Sequence, residues 1–359
     1  MFVDKYATAR DKAGFRWYAY ATYYTLLDIT GISMKEFNTG ITAGIELFKG
    51  RNREKVREIF GEGVGLPAVS TPGISYGHVN GLGLELIFPE GGEVGYSHEV
   101  KTLDEYIGIL ARDVDFAKEG MAPFYMEYRD KLKEAYPEEN VGFNYGSEGP
   151  VTTAYELRGM DVFYDPYDQP EKYRKFLALL TDSIVKFNGF RSSVNGQPCF
   201  SSRGAGLCDD VAAMFAPSMW EEFILPYWEQ YYSGLTDGER RVHCEDLTAA
   251  HMPLLEKAGL DVYDPGISPK LNPEIICAGT RVPFEWRLGS FHLKRMETDE
   301  VEKLVYKAAG NGASCVFTVI EAGMTDDATA GKIRRFVRAC RKVESMLENG
   351  VDRKQIGSW

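Results

Sequence analysis

The 359-residue sequence predicts an α/β fold, a (β/α)8 TIM barrel carrying an N-terminal helical extension. Two observations predict it. From about residue 140 onward, short β-like runs alternate with amphipathic helices, the pattern of a parallel sheet wrapped by helices. Along the whole chain no G-x-G-x-x-G run stands between a strand and a helix, so the open dinucleotide-binding sheet is not indicated. The length suits one large α/β barrel and can bury a sizeable core without cross-links.

Residues 1–65 read as helices and form the predicted extension, with residues 66–359 as the barrel. "SMKEFNTGITAGIELFKG" opens on a Ser33 cap and runs to Gly50. Residues 66–100 are glycine-rich with short apolar runs and read as loops and short strands. "EKYRKFLALLTDSIVKFNGF" places Phe176, Leu177, Leu179, Leu180 and Ile184 on a helix. "CFSSRGAGLCDD", "RRVHCED", "LDVYDPG", "RVPFEWRLGS" and "ASCVFTVIEAG" follow as strands. "SMWEEFILPYWEQYYSGL", "AAHMPLLEKAG", "DEVEKLVYKAAG" and "DATAGKIRRFVRACRKVESML" are the helices among them.

Apolar content is 44% and charged content 26%, as in ordinary globular proteins. The net charge of −12 speaks against nucleic acid and anionic membranes as partners. The basic stretch "KIRRFVRACRK" fits the solvated face of a late helix. Six scattered cysteines, with no C-x-x-C pair, suggest a reducing compartment. The N-terminal residues lack a leader-type apolar region, and no run is long enough to span a membrane. A cytoplasmic protein is the expectation.

In such a barrel the active site lies at the C-terminal ends of the strands. The polar residues at these ends are Asn144, Ser147, Glu148, Asp209, Asp210, His243, Glu245, Asp246, Asp264, Glu285, Arg287 and Glu321. Some are explained as helix caps. Side chains alternate along a strand, so His243 and Glu245 share one face and Cys244 takes the other. Cys244 then packs outward as a small hydrophobe. An imidazole beside a carboxylate suits zinc, which both bind at about 2.0–2.2 Å, and Glu321 is the natural third ligand. The alternative is a His–Glu hydrogen bond that holds a loop. Glu245, Asp209 and Asn144 are the candidate catalytic residues; His243, Glu245 and Glu321 are the candidate metal ligands. Glu222, Cys244 and Cys315 are the substitutes for a metal ligand.

Several segments resemble the uroporphyrinogen decarboxylase superfamily. They are "GLGLELIFPEGGEVGYSHEVKTLDEY", "GPVTTAYELRGMDVFYDPYDQPEKY", "DDVAAMFAPSMWEEFILPYW", "HCEDLTAAHMPLLEKAGLDVYD" and "GNGASCVFTVIEAGMTDDATAGKIRRFVRA". Their order and spacing carry the resemblance over residues 70–345. It implies the barrel with its helical extension and offers two chemistries. True decarboxylases act on a polycarboxylate tetrapyrrole and bear an R-Q-A-G-R segment, which is absent here. The other branch comprises cobalamin-dependent methyltransferases, and its thiol-acting members resemble H-x-C plus a late Cys. Here Glu245 stands in place of that first Cys, and Glu321 near the second. Carboxylates make a harder site that suits oxygen.

The resemblance and this departure together imply a methyltransferase that moves a methyl group from an aryl methyl ether to a corrinoid. No D-x-H-x-x-G corrinoid-binding segment occurs, so cobalamin is expected on a partner protein. Zinc is the other expected cofactor, and a homodimer is compatible with the sequence. The alternatives are a decarboxylase on another acidic substrate, a methylcobalamin:thiol methyltransferase, and a non-enzymatic barrel that binds a corrinoid protein or ligand.

Overall fold

The aromatic run RWYAYA forms a strand, because Trp and Tyr favour the pleated, half-buried surface that a strand offers. The computed structural model describes residues 4–97 and 100–359. In chain order its strands are β1 (Arg16–Ala21), β2 (Leu86–Ile87), β3 (Gly95–Tyr96), β4 (Gly204–Cys208), β5 (Glu239–His243), β6 (Val262–Asp264), β7 (Glu285–Leu288) and β8 (Cys315–Ile320). Contacts divide the chain into two units. The first is Met1–Ile32, Glu46–Ala68 and Glu245–Trp359; the second is Ser33–Ile45 and Val69–Cys244.

In the first unit β8 lies between β1 and β7, parallel to both, with Tyr18 opposite Phe317 and Glu285 opposite Cys315. The first and last strands thus lie side by side, as they do in a (β/α)8 fold. Tyr20 bridges Gly65 and Tyr263 bridges Phe284, again in parallel. The helix Asp327–Glu348 is long and amphipathic, and Asp326 caps it by accepting from the Thr329 N–H at 2.9 Å.

In the second unit β4 and β5 pair in parallel, with Cys208 opposite His243. Two further extended segments run parallel and meet at the Ser70–Gly142 and Ile74–Tyr145 bridges. β2 and β3 form a separate antiparallel pair. The helix Pro170–Val194 buries Phe176, Leu177, Leu180 and Ile184 of the expected residues and leaves Leu179 half-buried. Aromatic side chains fill this core, and several of their hydroxyls find backbone carbonyls. Tyr125 donates to the Asn38 carbonyl at 3.0 Å and Tyr128 to the Phe37 carbonyl at 2.9 Å.

Three expectations change. Residues 1–65 are not helical throughout, because β1 lies among them and pairs with the last strand. Ser33 does cap a helix, in a capping box with Glu36, but that helix ends at Thr39. Gly40 has extended backbone, and a second helix, Ile41–Leu47, follows it. Gly50 opens the next helix instead of closing this one, since Gly61 supplies the positive φ at that helix's end. Of the early glycine-rich segment, His98 and Glu99 lie outside the described residues. No helix among the described residues is long and apolar enough to cross a membrane.

Candidate active site

The sequence places two acids, Asp209 and Asp210, directly after β4, and the structure gives them different work. Asp209 is fully buried. Its Oδ1 accepts from the Thr152 N–H at 2.7 Å and its Oδ2 from the Val151 N–H at 3.3 Å. These donors belong to the first turn of the helix Pro150–Arg158, where backbone N–H groups have no helical partner. Gly149 at the cap position offers no side chain, so a carboxylate from the strand end takes that part. Oδ2 also accepts from the Trp228 indole at 2.7 Å. Burial still dominates and pushes the Asp209 carboxyl up to about 6, against the pull of these donors. Gly149 is required here: a Cβ on it would stand 2.7 Å from the Asp209 Cβ.

Glu148 precedes that glycine and is half-buried. Burial pushes its carboxyl up to about 7; the Ser75 hydroxyl opposes this, Asp210 and Asp209 reinforce it, and His243 opposes it. Two turns along the same helix, Glu156 is only 4% exposed. Burial, then Glu148 and Asp209, drive its carboxyl well above the usual range. Tyr76 and Tyr96 feel both burial and the Glu156 charge, and their rings lie 4.6 Å apart. His243 ends β5, half-buried, with Nε2 3.8 Å from an Asp210 carboxylate oxygen. The second unit thus places Glu148, Asp209, Asp210 and His243 at the ends of its extended segments, and Glu156 on the helix Pro150–Arg158. Asn144 is exposed at the same end, and its N–H donates to the Thr71 hydroxyl at 2.8 Å.

Cys244 is buried and its thiol donates to the Asp209 carbonyl at 3.2 Å. Burial pushes the thiol far above its usual range, so it is no ready thiolate. Across H-C-E, His243 and Glu245 are half-buried and Cys244 is buried, and β5 ends at His243.

The first unit carries the rest. Glu245 Oε1 accepts from the Ile267 N–H at 3.0 Å. Asp246 follows with φ +62, a left-handed conformation that Asp tolerates better than most residues. Its carboxylate lies 3.3 Å from Lys270 Nζ. Glu321, after β8, is ion-paired with Arg287 at 2.7 Å. Tyr20 faces this pair: burial raises its hydroxyl, Arg287 opposes this, and Glu321 and Asp264 add to it. Glu285 begins β7 instead of ending it, and holds Arg16 at 2.6 Å. Of the substitutes for a ligand, Glu222 is exposed and ion-paired with Arg174, and Cys315 is buried at the start of β8.

The zinc set of His243, Glu245 and Glu321 does not match these partners. A guanidinium at 2.7 Å from Glu321 would repel a dication, and the loop N–H of Ile267 already occupies Glu245. Among the described residues, no three His, Cys, Asp or Glu side chains gather closely enough to hold a metal ion. Sequence reasoning had placed Glu148 at a strand end without giving it a role, and had missed Glu156. The available signal was an acid on the helix face that also carries the buried Thr153 and Leu157.

A family model described as uroporphyrinogen decarboxylase (URO-D) matches residues 74–273. No curated protein matches the chain. Among solved structures, a methyltransferase from Methanosarcina mazei is similar, with a TM-score of 0.66 at 17% identity over 93% of this chain and 96% of that one. At that identity the likeness shows a shared fold, the α/β class with parallel strands that the alternation predicts.

Proposed function

The chain belongs to the uroporphyrinogen decarboxylase (URO-D) family, and from that premise we propose that it is the substrate-side methyltransferase of an O-demethylase system. It moves a methyl group from an aryl methyl ether to the corrinoid of a partner protein. The observation that carries this reading is the acidic lining of the second unit: Glu148, Glu156, Asp209 and Asp210 meet beside His243. Such a lining suits a neutral ether better than a polycarboxylate tetrapyrrole, whose carboxylates call for cationic partners. The methyltransferase of the same fold supports the transfer chemistry by analogy.

When bound, the corrinoid supplies the nucleophile that takes the methyl group. The chain's own residues have two tasks. Tyr76 and Tyr96 offer aromatic faces against which a substrate ring can stack. The carboxyl groups meet the ether oxygen, which becomes a phenolate as the methyl leaves. A phenol has a pKa of about 10, so its anion leaves poorly without a proton or a positive charge beside it.

The deciding experiment mixes the protein with a methoxylated phenol and a corrinoid protein reduced to Co(I). Methylated Co(III) and the free phenol should form together, and neither without the corrinoid protein. Carbon dioxide release from a carboxylated substrate, with no ether cleavage, would turn the reading toward a decarboxylase.

A further inference from the structure

Just ahead of β1 and β8, Gly14, Phe15 and Gly312 line a cavity of about 590 Å³, a volume typical of small-molecule sites. It belongs wholly to the first unit, at the other end of β8 from Glu321. Its walls carry charges of both signs, and these do not pair with one another. Arg353 Nη1 donates to the Ala309 and Ala313 carbonyls, each at 2.9 Å, and Nη2 to the Gly14 carbonyl at 2.7 Å. A guanidinium has five N–H groups, so two of its donors, the Nε–H among them, have no partner among the described residues. Arg10 directs its guanidinium at the Ile276, Cys277, Thr280 and Val282 carbonyls and the Cys277 thiol. On the negative side, Glu344 and Glu348 stand one turn apart at the end of the helix Asp327–Glu348, whose last turn has no basic residue. Like charges at this spacing repel, and the helix dipole adds to the cost at a C-terminus. Among the described residues Glu344 accepts only from the Trp17 indole, at 3.2 Å, and Glu348 from nothing. Asp11 also lines the cavity. Burial pushes the Arg353 guanidinium below its usual range, Asp11 and then Cys277 oppose this, and Arg10 adds to it.

We propose that this cavity binds a small dipolar molecule of the amino-acid class, its carboxylate on the Arg353 guanidinium and its ammonium at Glu344 and Glu348. The site is independent of methyl transfer. The two remaining donors of Arg353 suit a carboxylate, which accepts charge-assisted hydrogen bonds in pairs. Glu344 and Glu348 gain the positive charge that their end of the helix lacks. Phe15 and Leu347 give the cavity an apolar wall for a side chain. A metal ion does not account for the acids, since among the described residues no three ligating side chains gather closely enough. The cavity holds three carboxylates against two guanidinium groups, so a lone anion would add to the excess negative charge. A lone cation would leave the open donors of Arg353 unfilled. Bound there, the molecule links the segment before β1 to the end of the helix Asp327–Glu348 and to Arg353, and so favours the folded chain.

The test is binding to the whole chain. The standard L-amino acids are added one at a time at about 10 mM, and the best binder should raise Tm by about 2 °C. By calorimetry its N-acetyl derivative, which lacks the ammonium, and its amide, which lacks the carboxylate, should each bind about tenfold more weakly or worse. Glu348→Gln should weaken the amino acid about tenfold, while Tm without ligand stays or rises because a repulsion at the helix end is relieved. Arg353→Lys keeps the charge and loses the fork, and should weaken the amino acid more than its amide. Arg353 also ties three carbonyls, so Glu348→Gln carries the test if that variant is unstable. A Tm unmoved by every amino acid overturns the proposal, as does an N-acetyl derivative that binds equally well or an affinity unchanged in Glu348→Gln. Inorganic phosphate bound as tightly as the amino acid would overturn it in favour of a plain anion site.

Discussion

The Arg287 guanidinium donates to the Glu321 carboxylate at 2.7 Å, tying β7 to the residue that follows β8. The pair gives Glu321 a fixed partner in the first unit and changes what the variants should do. Arg287→Met removes the counter-charge from a carboxylate about a third exposed. The loss should be about 1 kcal/mol, since partial exposure weakens the pair, and urea unfolding measures it. Zinc added to metal-free protein should bind wild type and Glu321→Gln with equal affinity by calorimetry. A tenfold weakening in the variant would restore Glu321 as a ligand.

Asp209 predicts a pH dependence of stability. Its carboxyl is raised in the folded chain to about 6, from about 3.9 when unfolded. A raised acid favours the folded state while protonated. Its contribution is therefore complete below about pH 4 and is lost as the pH rises through 6. The full swing is about 3 kcal/mol. The stability of wild type relative to Asp209→Asn should thus decline from pH 4 to 6 and then level. A difference that rises over this window would mean that the helix N-terminus and the Trp228 indole outweigh burial.

Strand–helix alternation and the Ser33 cap were legible because each is local: a period of two or a cap three residues from its partner states its own geometry. The strand β1 was missed because its Trp and Tyr stand beside helical segments, and the pairing that settles it lies on β8. The same cause hid the Arg287–Glu321 pair and the Asp209 cap. Glu321 looks like a ligand until Arg287 is beside it, and Asp209 looks catalytic until the helix Pro150–Arg158 is seen resting on it. The acids were readable as a set; their division into cap and ion pair depends on contacts far apart in sequence.

Gly266 should not tolerate a side chain. Its φ is +55, and a Cβ there would lie 2.1 Å from Glu245 Oε1. Gly266→Ala strains the backbone and also pushes Glu245 off the Ile267 N–H. The cost should be about 2 kcal/mol or more, read as a lowered urea midpoint. Gly196, also at positive φ but with nothing within 4 Å, is the control, and its Ala variant should lose only about 1 kcal/mol. Equal losses at the two positions would remove the claim that Glu245 is held in place.

Selectivity between ether and thiol is the last expectation. A thiol acceptor needs sulfur ligands that leave a metal electron-rich, and the cysteine that follows His243 in the chain cannot supply one. Cys244 is buried, bonded to the Asp209 carbonyl and held in its neutral form. Cys244→Ala should therefore leave ether demethylation within about twofold, while stability falls about 1 kcal/mol for the lost bond and volume. Wild type should fail to methylate coenzyme-M-like thiols from methylcobalamin. Running both reactions on one preparation decides the matter: thiol methylation that disappears in Cys244→Ala would mean that the loop opens and that the thiol, not the carboxylates, does the chemistry.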